Sequence, residues 1–185
     1  MAEITGKWAV LLRTTLPGTT AENRMGKITV RVFDSFAEAK DAFRETMGSY
    51  AFRENEMFDG EGHITRLEKF MMDSIDEDSY HNAEEYAEDY KGVRGVLDAL
   101  NNMLAGKDVC EEDVPHYYSN WMVGARFEDG CLKFFGEDDG PCNGYSPYIS
   151  TNVFNMNAEK EYHMHIVDLL GQDWPSEFFL NLLKV

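Results

Sequence analysis

The sequence predicts an α+β fold: an antiparallel sheet of about six strands, with a helical segment inserted between an N-terminal strand pair and two C-terminal hairpins. Three observations predict it. Strand-like runs open the chain (KWAVLLRTT and KITVRVF) and return between residues 120 and 170. Between them, over residues 35 to 106, apolar residues recur at helical spacing behind cap-forming residues. Turn residues at Asp129-Gly130 and Asn157-Ala158-Glu159 then separate aromatic and β-branched runs. The 185 residues suffice for a single domain with a real core, and no internal repeat divides them.

Residues 7–15 read as a buried strand, ended by Leu16-Pro17-Gly18 and a polar loop through Asn23 and Gly26. In residues 27–33, Ile28, Val30 and Val32 alternate with Thr29 and Arg31, so one face of this strand is expected to be buried. The two strands pair as a hairpin with a long loop. Ser35-Phe36-Ala37-Glu38 has the form of a capping box, and Phe36, Ala39, Phe43, Met47 and Tyr50 follow at helical spacing, with Gly48 weakening the helix near its end. After a turn at Asp59-Gly60-Glu61-Gly62, the same cap form at Thr65-Arg66-Leu67-Glu68 opens a second, shorter helix bearing Phe70, Met71 and Ile75.

A third cap, Asn82-Ala83-Glu84-Glu85, opens a long helix. Ala83, Tyr86, Tyr90, Val93, Leu97, Leu100 and Leu104 share one face, with Glu84, Glu85 and Glu88 on the other and Gly106 at the stop. Asp108 to Pro115 reads as a polar connector and hinge. Trp121 to Phe127 and Cys131 to Phe135 flank the Asp-Gly turn, and residues 136–147 read as loop. Tyr148 to Met156 and Glu161 to Leu169 form the second hairpin, in which Tyr162, Met164 and Ile166 alternate with His163, His165 and Val167. DWPSEFFLNLL, from Asp173 to Leu183, reads as a closing helix capped by Asp173 with Pro175 in its first turn.

The formal net charge is −17, from 34 acidic against 17 basic residues. Such a field repels nucleic acid and anionic membranes and attracts cations and basic proteins. Cys110, Cys131 and Cys142 form no C-x-x-C pair, as expected of a reducing compartment. The first residues lack the pattern of a secretory signal, and no apolar run reaches the roughly 18 residues of a membrane span. A cytoplasmic protein is expected.

The acids concentrate in DSIDEDSYHNAEEYAEDY, residues 73–90, which holds no Lys or Arg. Asp76-x-Asp78 has the opening of a calcium loop, but His81 and Ala87 stand where that loop needs Gly and Glu. No nucleophile elbow, phosphate-binding loop, dinucleotide fingerprint or basic stripe occurs, and no cofactor is implied. His163-x-His165 puts two imidazoles on one strand face, with Glu161 or Asp168 as a third metal ligand; the plain alternative is a solvated strand face. A carboxylate face with interleaved tyrosines imitates the charge of a phosphate backbone and competes for the basic groove of a nucleic-acid-binding protein. Small acidic inhibitors of the anti-defence kind, carried by phages and mobile elements, act this way; the chain shares their charge and no motif.

The expected function is therefore a non-enzymatic, acidic protein-binding module. Asp76, Glu77, Asp78, Glu84, Glu85, Glu88 and Asp89 are its contact charges and Tyr80 its aromatic contact. Its partner is a basic protein, with no direct contact to nucleic acid or membrane. Two alternatives stand beside it: a small hydrolase or metal-assisted enzyme near His163 and His165, and a structural or assembly subunit marked by an exposed apolar patch.

Overall fold

The computed structural model describes residues 7–15, 26–51, 68–69, 72, 75, 77–114, 117–119, 123–136, 148–168 and 176–185. The turns expected at residues 16–18 and 59–62, the Thr65 cap with most of the second helix, and the loop over 137–147 lie outside these residues.

The fold is α+β, with one open antiparallel sheet. Its strands are β1 (Trp8–Thr15), β2 (Gly26–Phe33), β3 (Tyr117–Ser119), β4 (Val123–Glu128), β5 (Cys131–Gly136), β6 (Tyr148–Thr151), β7 (Tyr162–Asp168) and β8 (Ser176–Lys184). They run in the order β2-β1-β8-β7-β6-β5-β4-β3. After the first hairpin, the described residues include the helices α1 (Phe36–Ala51) and α2 (Ala83–Leu104).

Local signals act where the sequence places them. The Glu38 N–H donates to Ser35 Oγ at 3.3 Å, and the Ser35 hydroxyl donates to Glu38 Oε2 at 3.0 Å. Asp129 and Gly130 both take positive φ, 54° and 73°, and join Glu128 to Cys131 as a two-residue hairpin turn. At the end of α2, Gly106 (φ 75°) donates to Met103 O and Lys107 N–H to Asn102 O, which satisfies carbonyls the helix leaves free.

One face of the sheet builds the core. The Trp8 ring meets Phe36 of α1 edge-on at 4.9 Å between centroids, so the side of β1 bearing Trp8, Val10 and Leu12 faces the helices. Register carries that side across the sheet through Leu182 and Leu180, then Tyr162 and Met164, Ile149, Phe134 and Ala125. All of these are buried, beneath Phe43 and Met47 of α1 and Val93, Leu97, Leu100 and Met103 of α2.

Four expectations are corrected. The C-terminal run is no helix but β8, a central strand hydrogen-bonded to β1 on one side and β7 on the other. Phe178, Leu180 and Leu182 alternate there with Glu177, Phe179 and Asn181, and only the first three are buried. The period-2 pattern and two waiting strand edges override the helix-start signal of Pro175, itself outside the described residues. With β3, this brings the strands among the described residues to eight, against the about six expected.

The apolar row of β2 does not face the helices. Val32, Val30 and Ile28 pair with Ala9, Leu11 and Arg13, on the opposite side of the sheet. It is Arg31 that reaches α1, at 4.0 Å from Glu45. The connector after α2 is no hinge: Val109 and Val114 are buried, and Asp108 is held by Lys40 and Arg44 of α1. Burial pushes the Asp108 carboxyl up, but these two cations leave it below the ordinary range. Finally, the apolar face expected for the start of α2 is not buried. Ala83 and Tyr90 are exposed, and burial begins at Val93.

Candidate functional site: an acidic, tyrosine-lined helix end

The start of α2 is fixed by its cap and by rings. The Glu85 N–H donates to Asn82 Oδ1 at 2.8 Å, and Glu84 and Glu85 lie in the first turn, where carboxylates interact well with the helix dipole. A 3-10 turn over Glu77–Ser79 precedes it. The Tyr80 ring is half-buried against the core, and its hydroxyl donates to Asp89 Oδ2 at 2.8 Å. Tyr86 meets Tyr80 edge-on at 5.5 Å and tilts against Tyr90 at 6.0 Å.

These elements enclose a hollow of about 360 Å³ lined by Glu77, Asp78, Tyr80, Asn82, Ala83 and Tyr86. Of the residues expected to make contact, Glu77, Asp78, Glu84, Glu85 and Glu88 are exposed in this region. Asp89 is half-buried and bonded to Tyr80, and Asp76 lies outside the described residues. Tyr80, the expected aromatic contact, lines the hollow while its ring also packs against the core, and Tyr90, further along α2, is 41 % exposed. The spacing of Tyr86 and Tyr90 could have suggested a ring ladder; nothing local says that the body ends beneath Val93.

A second polar cluster lies on the sheet face opposite the helices. Ser150 Oγ and His163 Nε2 stand 3.1 Å apart. His165 Nε2 lies 3.0 Å from Glu177 Oε1, to which Arg13 also donates at 2.7 Å. Burial lowers the pKa of both imidazoles; His165 adds to the effect on His163, whereas Glu177 opposes it at His165. The pair expected on a wet strand face is therefore half-buried, and Glu177, Ser150 and Arg13 were not anticipated, because their approach is set by cross-strand register. Of the proposed third metal ligands, Glu161 accepts the Lys184 N–H at 2.8 Å, and the Asp168 side chain is outside the description. No group of three or more His, Cys, Asp or Glu able to hold a metal ion occurs among the described residues. Also among these residues, no helix is long and apolar enough to cross a membrane.

Comparison with protein-family models, with curated proteins and with solved structures finds no match for this chain.

Proposed function

We propose that this protein is an acidic binding module whose partner is a basic, nucleic-acid-binding protein. The observation that carries the reading is the hollow between the 3-10 turn and α2, where Glu77 and Asp78 stand beside the rings of Tyr80 and Tyr86. Carboxylates with aromatic rings suit an arginine or lysine head: the acids supply charge-assisted hydrogen bonds, and the rings attract the cation and cover its aliphatic stem. Glu84, Glu85 and Glu88 extend the same sign along the helix. A cytoplasmic inhibitor that occupies a nucleic-acid groove by charge mimicry, as anti-defence proteins do, is the specific form of this reading.

Binding of this kind weakens with salt, because both partners recover their counterions. The test is capture on immobilised protein, washed at low and then high salt, with duplex DNA or RNA as competitor. A nucleic-acid-binding protein should be retained at low salt and released by either treatment. The triple variant Glu84→Lys, Glu85→Lys, Glu88→Lys should retain none while unfolding at nearly the same urea concentration. Equal retention by the variant would remove α2 from the interface.

A second reading has one observation in its favour, the Ser150–His163 contact, since a hydroxyl within reach of a neutral imidazole is the start of a nucleophile–base pair. A fluorophosphonate probe labelling Ser150 in the wild type, but not in His163→Ala, would move the assignment to a hydrolase.

A further inference from the structure

The two edges of the sheet are unlike. At one edge β3 is three residues long. At the other, β2 runs for eight residues, paired without a bulge to β1. A strand uses one side of its backbone for each neighbour, so alternate N–H and C=O groups of β2 point away from β1. Folded proteins blunt such an edge with a short strand, a proline, a bulge or inward charge. Gly26–Phe33 contains no proline; Lys27 and Arg31 lie on its helix-facing side, where Arg31 is drawn to Glu45, and the row of Ile28, Val30 and Val32 on the other side is left 68 %, 54 % and 56 % exposed.

We propose that β2 is the interface between two copies of this chain, which pair antiparallel about a two-fold axis through Val30. Two arguments select a second copy as the occupant. The first is charge. The chain carries −17, but β1 and β2 hold Arg13, Lys27 and Arg31 and no acid. The edge strand thus brings no carboxylate of its own against a second copy, and the acids beside these strands, Glu45 at Arg31 and Glu177 at Arg13, are paired with their cations.

The second is register. With the axis normal to the sheet, paired residues share a face, so the axis must pass through a residue. An axis at Thr29 sets Lys27 opposite Arg31, and one at Arg31 sets that guanidinium opposite its copy. Through Val30 the pairs are Lys27 with Phe33, Ile28 with Val32, Thr29 with Arg31, and Val30 with itself. No like charges oppose, and the two apolar rows merge into one band across the joined sheets.

The test is the solution mass of the full chain by sedimentation equilibrium at about 1 to about 100 μM, a span matched to micromolar affinity. The expected species is twice the 21.2 kDa chain mass. Raising the salt should strengthen it by screening the net charge, opposite to the behaviour of the α2 contact. V30K puts two ammonium groups side by side at the axis and should return the mass to one chain, with thermal unfolding matching the wild type at concentrations low enough for both to be single chains, because the side chain is exposed. I28E should weaken the dimer, and I28E with V32K should restore it, since the proposed register sets those positions opposite one another. A wild-type monomer throughout, or a dimer indifferent to V30K, overturns the proposal. A dimer lost in V30K but not restored by the I28E/V32K pair overturns the axis at Val30. Capture of a foreign strand by wild type but not V30K, with no dimer, assigns the edge to another occupant.

Discussion

The two halves of α2 share one helical register and one amphipathic pattern, yet they meet different surroundings. From Val93 to Leu104 the apolar face is sealed: Val93, Val96, Leu97, Ala99, Leu100, Met103 and Leu104 are all buried. From Ala83 to Gly92 no residue is buried, and Tyr86, Asp89 and Gly92 are only half-covered. The C-terminal half is held by packing against α1 and the sheet. The N-terminal half is held by the Asn82 cap, the tyrosine ladder and the Tyr80–Asp89 bond. The same pattern thus serves stability in one half and leaves carboxylates and rings available in the other. A surface for a partner does not need its own core; it needs a rigid extension of one.

That division can be broken first from the packed side. Leu97→Ala removes a fully buried side chain from beneath both layers and should cost about 2–5 kcal/mol in urea unfolding. The entire helix should then lose protection from hydrogen exchange, because its exposed half depends on the buried one. Loss confined to residues 83–92 would contradict this dependence.

Next in size is the crossing of the two helices. A Cβ built on Gly48 of α1 would stand 3.1 Å from the Leu104 carbonyl oxygen, a backbone atom with little room to move. The sequence offered this glycine only as a weak point in a helix, whereas its place is a close approach of backbones. Gly48→Val should cost about 1–3 kcal/mol through overpacking, despite the better helix propensity of valine. A gain in thermal stability would show that the helices can separate without loss.

Smaller still is the cap. Asn82→Ala should cost about 1 kcal/mol and Asn82→Asp almost nothing. Because only the exposed half rests on it, amides over residues 85–90 should exchange faster in Asn82→Ala while those beyond Val96 keep their protection. If both halves lose protection equally, the helix is one cooperative unit and the contrast between its halves fails.

What the sequence showed and what it hid divide by the range of the interaction. Ser35, Asn82, Gly106 and the Asp129-Gly130 turn act within a few residues of themselves, and each does what its neighbours require. β8 was hidden because Asp173 and Pro175 are local helix signals, while its strand state depends on β1 and β7, more than a hundred residues distant in one case. The side of β2 that meets the helices is likewise not written in its alternation. Either face could have been chosen, and pairing with the Trp8 side of β1 chose Arg31 and Phe33. The acids of the candidate site were legible because exposure needs no partner. The hollow beside them, and the approach of Ser150 to His163, required knowing what folds against what.

The mildest perturbation is acid, and it reaches the packed half of α2 through the sheet. His163 and His165 sit on β7, whose other face carries Met164 and Ile166 into the core, and Thr151 of β6 donates to Met103 Sδ of α2 at 4.0 Å. In the unfolded chain imidazole titrates near pH 6.5, whereas burial holds both histidines below that in the folded protein. As pH falls through 6.5 the unfolded state takes up more protons, so stability present at pH 7.5 drains away until the folded-state values are passed. His163→Asn and His165→Asn should each flatten this slope, since burial lowers both groups. After correction for intrinsic exchange, amides of residues 93–104 should lose protection between pH 7.5 and 5.5 in the wild type and lose less in His163→Asn. An equal pH slope in all three proteins would show that the sheet face carrying the histidines does not bear on the helix packed behind it.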